Sequence, residues 1–487
     1  MAKIDLTLKD LDRLFPKDFT PAQRARAKTL FLEELSLSAH RFYSGKIMSV
    51  PKAGLWGFNW FNVWYTPGVS LVSRTIRDDR DASFELSNRG NLVAIVSDST
   101  RVLGDGDCSP PGGLGVMEGK AFLMKYLGGV DAVALCIDSR GGKGEPDADR
   151  IIEFVRMAEP SFGAVNLEDI SQPNCFRVLD TLREKCEIPV WHDDAQGTGC
   201  VTLAGLINAL KVAGKRMEEA RIVLFGAGAS NTTIARLILL CGGDPGRMVL
   251  FDSRGGLHRK REDIKADTRF YRKWELCEAT NPDLVDDMET ATKGADVLIS
   301  LSRPGPDVVK PGWIRHMAPK SIVFACANPV PEIYPYAAKE AGAYIVATGR
   351  GDFPNQVNNS LGFPGILKGA LLARARKITD EMAIAAARSL AGFAAKKGLR
   401  PDRIMPTMEE TELFAGEAAD VAMEAVRNGV ARNRPSREAV YGRALADIRQ
   451  ARRVMKLLEK GKVITAPGRA MLEQALGRAV RAVRSGS

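Results

Sequence analysis

The stretch ARIVLFGAGASNTTIARLILLCGG, residues 220–243, followed by RMVLFDSRG, residues 247–255, decides how the chain folds. An apolar run ends at Phe225, a glycine turn follows, apolar residues then recur at helical spacing, and a second apolar run closes on Asp252. That succession reads as strand, tight turn, helix and strand. In Gly226-Ala227-Gly228-Ala229-Ser230-Asn231 the glycines sit where the chain must turn sharply and bring backbone N–H groups up to a pyrophosphate. Asp252 closes the next strand 26 residues after Gly226, in reach of a ribose 2′-hydroxyl. Asn231 stands where a third glycine would let helix and strand pack closely. Dinucleotide binding is the expectation; a Rossmann-type domain with no cofactor is the alternative.

Outward from this unit, short apolar runs at 295–301, 321–325 and 343–348 supply further buried strands of a doubly wound sheet. Upstream, LVAIV (92–96) and AVALCI (132–137) read as strands, with the helical spacing of VMEGKAFLMKYL between them. A second alternation runs through FGAVNLEDI, CFRVLDTLREK and IPVWHDD. The class is α/β: an N-terminal α/β region, then a doubly wound, Rossmann-type nucleotide-binding sheet and C-terminal helices. Near the start, Thr20-Pro21 pairs a hydroxyl N-cap with proline at the first helical position and predicts a helix. The expected divisions are a helical segment 1–39, a catalytic domain 40–195, a dinucleotide domain 196–431 and a basic helical extension 432–487.

The chain has 487 residues, 45% hydrophobic and 26% charged, which is ordinary globular composition with room for two or three cores. No apolar run approaches the roughly 18 residues a membrane span needs. The acidic residues in MAKIDLTLKDLDRLF do not suit a leader peptide, and eight scattered cysteines without a C-x-x-C pair fit free thiols. A cytoplasmic protein is expected. The four histidines share no helical face, so any metal must be held by oxygen. The net charge of +10 is carried by residues 432–487, where fourteen Lys or Arg face four acids. That tail reads as helical packing at a subunit contact or a solvated basic face. Nucleic acid or an anionic effector is the sharper but less favoured partner, since the aromatic interleaving of single-strand binders is missing.

Two acidic clusters end predicted strands: Glu168-Asp169 and Asp193-Asp194. Hard oxygen ligands in that number suit Mg²⁺ or Mn²⁺, although paired acids are more often solvated or capping groups. Lys120, in GGLGVMEGK, is either a surface lysine or, beside a metal and carboxylates, a base with its pKa shifted toward neutrality. Tyr65, in WYTPG, is either a core aromatic or a hydroxyl facing a cleft.

Read together, YTPGVS, VSDSTRVLGDGD, VMEGKAFL, VNLEDIS, VWHDDAQGT, VLFGAGA, ANPVPEI and VATGRGDFPNQVNNSLGFPGILKGAL closely resemble the malic enzyme family over roughly residues 40 to 431. The resemblance implies oxidative decarboxylation of (S)-malate to pyruvate and CO₂ with NAD(P)⁺ and Mg²⁺ or Mn²⁺. It implies Glu168, Asp169 and Asp194 as metal ligands, and Lys120, tuned by Asp193, as the group that takes the C2 hydroxyl proton. Tyr65 would protonate C3, and Arg101 would pair with a substrate carboxylate. Asn328, Asn358 and Asn359 would orient the substrate and the nicotinamide end. A homodimer or homotetramer is expected. The rivals are a malolactic enzyme giving lactate, and a catalytically weak paralogue that acts through its basic tail. For the cofactor, Asp252 argues for NAD⁺, while Arg254, two residues on, could accommodate the 2′-phosphate of NADP⁺. Because every candidate precedes Arg432, the tail is expected to be dispensable for chemistry.

Overall fold

A computed structural model describes residues 4–142 and 144–486, which divide into two compact units. One comprises residues up to 50 together with residues from 452 on; the other is Pro51–Ala451. The expected segments 1–39 and 432–487 are therefore not separate pieces. In the smaller unit, helix α1 (Pro21–Tyr43) starts at Thr20, whose hydroxyl accepts from the Gln23 N–H while the Gln23 side chain accepts from the Thr20 N–H. Phe31 and Ala27 of α1 pack with Leu472, Leu476, Ala479 and Val483 of the last helix, Arg469–Ser485. Arg478 and Arg484 of that helix meet Glu34 and Asp18 at 2.8 and 3.7 Å. Part of the basic tail is thus spent within its own unit.

The larger unit contains two parallel sheets. The first comprises β1 (Leu92–Ser97), β2 (Asp131–Cys136), β3 (Ala164–Leu167) and β4 (Val190–His192), in the order β2-β1-β3-β4. Both faces are covered, so the strands are continuous apolar runs, as the sequence suggested. Helix α2 (Leu114–Gly128) connects β1 to β2 and carries Lys120 on its buried side.

The second sheet comprises β5 (Ile222–Phe225), β6 (Met248–Asp252), β7 (Gly255–Gly256), β8 (Val297–Ser300), β9 (Ile322–Ala325) and β10 (Ile345–Thr348), in the order β10-β9-β8-β5-β6-β7. Only the short β7 is antiparallel. The chain winds away from β5 in both directions, leaving a crevice at the carboxyl ends of β5 and β8 where such sheets bind ligands. Gly226, with φ 98°, lies at that crevice, and a Cβ there would come within 2.5 Å of the Leu301 carbonyl oxygen. Helix α3 (Ala229–Leu240) starts just beyond it.

Helices α4 (Phe363–Leu372), α5 (Asp380–Lys396) and α6 (Thr411–Arg427) complete the core. Helix α7 (Arg437–Lys460) begins in the expected extension, yet its first half belongs to this unit. There Asp447 accepts from Nζ of the buried Lys368 on α4 at 2.6 Å, and Asn91 accepts from the same Nζ at 2.9 Å. Residues 432–451 are thus part of this unit's own core, and only the rest of the expected basic extension lies in the smaller unit.

Candidate active site

Register builds the site. In the parallel pair β3 and β4, Asn166 lies beside Trp191 and Leu167 beside His192. The next residues, Glu168 and Asp169 on one strand and Asp193 and Asp194 on the other, leave the sheet side by side. Oxygens of Glu168, Asp169 and Asp194 lie within 4.8 Å of one another. Asp169 occupies the left-handed region at φ 53°, uncommon for a residue with a side chain, and its N–H donates to Asp194 Oδ2 at 2.7 Å. Its own Oδ2 is buried with no hydrogen-bond partner among the described residues. Three hard oxygens converging around an orphaned carboxylate atom fit an Mg²⁺ or Mn²⁺ ion.

Lys120 reaches the same place from α2. Its Nζ pairs with Asp193 and lies 3.0 Å from Glu168 Oε1 and 4.7 Å from the Phe363 ring centroid. Trp191 Nε1–H donates to the other Asp193 oxygen at 3.1 Å, and Asn166 Nδ2–H donates to Glu168 Oε2 at 2.9 Å. Four carboxylates thus crowd one ammonium in a buried pocket. Burial, reinforced by Asp194, pushes Glu168 well above the usual carboxylate range and Asp169 up to about 8. Burial also pushes Asp193 up, against the pull of Lys120. Burial opposes the charge on Lys120, but Asp193 and Glu168 outweigh it and raise the lysine. In the metal-free chain these acids therefore hold the proton on Nζ, whereas the shift toward neutrality expected from the sequence is that of a lysine beside a bound metal.

The residues following Asp193 form a wide turn, Asp193–Gly197, of the π type that recurs at functional sites. The Asp194 carbonyl accepts from Ser230 Oγ at 2.8 Å, which ties the acid cluster to the start of α3. No side chain caps α3, and the space where a Gly228 side chain would stand is open. Both features suit a pyrophosphate on free backbone N–H groups.

Residues 58–183 match the model of the malic enzyme N-terminal domain, and residues 195–427 that of the malic enzyme NAD binding domain. A bifunctional malic/malolactic enzyme of Bacillus subtilis (strain 168) is 40% identical over 402 residues, covering 82% of this chain and 95% of its own. The chain belongs to the malic enzyme family. An NAD-dependent malic enzyme of Geobacillus stearothermophilus is 42% identical over 369 residues, 76% of this chain and 74% of that one. The crystal structure of Entamoeba histolytica malic enzyme has a TM-score of 0.98 and 60% identity, covering 99% of this chain and 100% of that chain.

Within this malic enzyme fold the remaining candidates separate. Arg101 anchors its N–H on the Asp169 carbonyl at 3.0 Å and leaves its side chain exposed. Asn328 lies against the same loop: a Cβ on Gly104 would come within 2.8 Å of its carbonyl oxygen. Asn359 sits over the wide turn, its Cβ 3.3 Å from where a Gly197 side chain would start. Asn358 is engaged elsewhere, since its side chain accepts from Ser360 N–H at 3.0 Å and donates to the Gly349 carbonyl at 3.3 Å. Asn231 is fully buried, and its Nδ2–H groups donate to the Phe225 and Gly226 carbonyls at 3.1 and 2.7 Å, so it clamps the turn in place of a third glycine. Tyr65 is not with the cluster. It is 73% exposed and makes no side-chain hydrogen bond among the described residues. Asn166 and His192 enter the sequence candidates only as neighbours of the acids in VNLEDIS and VWHDDAQGT, and Trp191, which flanks the second pair, does not enter at all. Phe363 is brought in by tertiary packing alone.

Proposed function

We propose that this chain converts (S)-malate and NAD(P)⁺ to pyruvate, CO₂ and NAD(P)H with Mg²⁺ or Mn²⁺. What carries the reading is the convergence of Lys120, Asp193 and the Glu168-Asp169-Asp194 oxygens, tied through Ser230 to the dinucleotide turn. When bound, the divalent ion supplies Lewis acidity at the substrate oxygens and the dinucleotide accepts the hydride. Glu168, Asp169 and Asp194 hold the ion. Arg101 takes a substrate carboxylate by parallel N–H bonds. Asn328 and Asn359 line the substrate and nicotinamide end, with Asn358 bracing the loop before Asn359. Lys120 and Asp193 work as a pair. Asp193 holds Nζ in place, and Nζ takes the proton of the malate hydroxyl.

Tyr65 protonates C3 in a site to which a second copy of the chain brings it. The support is the apolar surface around it, with Phe58 86% and Trp56 71% exposed and Trp60 stacked on Trp64 at 5.7 Å. Apolar exposure on that scale marks an interface, so the assembly is a homodimer or a pair of them. A cytoplasmic location accords with eight unpaired thiols. Among the described residues no helix is long and apolar enough to cross a membrane.

The test is stoichiometry. With malate, Mn²⁺ and either dinucleotide, pyruvate and reduced cofactor should appear in equal amounts and stop on chelation. Lactate without net reduction at 340 nm would make the chain malolactic instead.

A further inference from the structure

The adenosine end of the dinucleotide crevice is organised by Arg261. Its Nη1 and Nη2 donate to the two oxygens of Asp252, each at 3.0 Å, in the two-pronged geometry that suits guanidinium and carboxylate. The same side chain donates through Nε and Nη2 to Asp263, both at 2.8 Å, and through Nη1 to the Gly256 carbonyl at 3.3 Å. It is 10% exposed. Arg254, by contrast, is 72% exposed and holds only one Asp263 oxygen, at 3.1 Å.

An acid at the end of the strand after the glycine turn ordinarily does two things: it accepts from a ribose hydroxyl and it repels a 2′-phosphate. Arg261 separates these roles. A carboxylate has roughly four lone-pair positions. Oδ1 of Asp252 already accepts from the Arg254 N–H at 2.9 Å and from Arg261, whereas Oδ2 accepts from Arg261 alone. One position on Oδ2 therefore stays open for a single ribose hydroxyl. The charge that would repel a phosphate is meanwhile offset by a guanidinium bonded to both oxygens, and Arg254 supplies the second positive charge that matches Asp263. Arg254 is free to swing from Asp263 to an incoming phosphate, because Asp263 keeps Arg261 as its partner.

We propose that Arg261 sets the cofactor choice: by neutralising Asp252 it lets this chain bind NAD⁺ and NADP⁺ with comparable affinity, and without it the chain becomes selective for NAD⁺. This rests on the reading of the chain as a dinucleotide-dependent enzyme, and the test keeps the two apart by reading binding rather than turnover. Dissociation constants for NAD⁺ and NADP⁺ are measured by calorimetry on wild type, Arg261→Gln and Asp252→Asn. Wild type should bind both within about tenfold, and Arg261→Gln should weaken NADP⁺ relative to NAD⁺ by at least about tenfold, as expected for losing a charge-assisted contact. Asp252→Asn should move the ratio the other way. A wild-type preference above a hundredfold, or a ratio unmoved in Arg261→Gln, overturns the proposal. Should Arg261→Gln fail to fold, an unmoved ratio in Asp252→Asn overturns it. If wild type binds neither dinucleotide, the enzymatic reading falls with it; binding of both with unmoved ratios removes only the role of Arg261.

Discussion

Two parallel strand ends in this molecule carry acids toward a ligand, and they treat the charge in opposite ways. At the ends of β3 and β4, four carboxylates gather around one largely buried lysine, and burial raises Glu168, Asp169 and Asp193 so that they hold protons they would shed in water. At the end of β6, Asp252 and Asp263 share two cations, the buried Arg261 and the exposed Arg254. An unbalanced set of acids is a place for a cation, whereas a balanced set is a place for discrimination between similar ligands. One fold device, an acid after a strand, serves both purposes because the neighbouring cations differ in number.

The predictions test that contrast, beginning with the largest effect. Asp194→Asn removes an anion from the unbalanced cluster and should lower turnover by at least about a hundredfold at saturating Mn²⁺; near-normal activity would take Asp194 out of the metal shell. Lys120→Ala should lose roughly 10² to 10⁴-fold, the usual share of a general acid or base. Tyr65→Phe should be slower by at least about tenfold yet still release CO₂ from added oxaloacetate. If Tyr65 crosses to a partner, mixing the Lys120→Ala and Tyr65→Phe chains under subunit exchange should regain about a quarter of wild-type rate, because half the dimers then carry one intact site. No recovery despite exchange would place both residues in one chain. The smallest effect is structural. Asp447→Asn takes the counter-charge from buried Lys368 and should lower the unfolding free energy in urea by about 1–3 kcal/mol. A change below about 0.5 kcal/mol would show that Asn91 suffices.

Much of this architecture was readable beforehand. The strand runs, the glycine turn and Asp252 were legible because buried parallel strands are continuous apolar segments and the turn demands glycine at Gly226. The acidic pairs were legible as pairs, but their meeting depends on the β3 and β4 register, which no local pattern encodes. The sign of the Lys120 shift in the metal-free chain depends on how many acids gather around Nζ, a tertiary quantity that no local pattern encodes. The departure at Asn231 was legible but its role was not, because a list of residues does not show that its amide bonds two carbonyls. The extension stands out in the sequence by its charge, while its attachment runs through the apolar Val440, Ala444 and Ile448 and through Asp447, one of four acids among fourteen basic residues.

The central claim is that the acid cluster exchanges protons for a divalent ion. Because Glu168 and Asp169 are raised in the folded chain, they keep protons as the pH climbs from the ordinary carboxylate range toward about 8 for Asp169. The metal-free protein therefore loses stability as the pH rises through that window, and apparent metal affinity rises over the same range. Calorimetric titration of metal-free protein with Mn²⁺ at pH 7, in two buffers of different ionisation enthalpy, measures both partners of the exchange. The account predicts about one Mn²⁺ bound per chain with net release of protons to the buffer. Binding without proton release, or no binding, would contradict it.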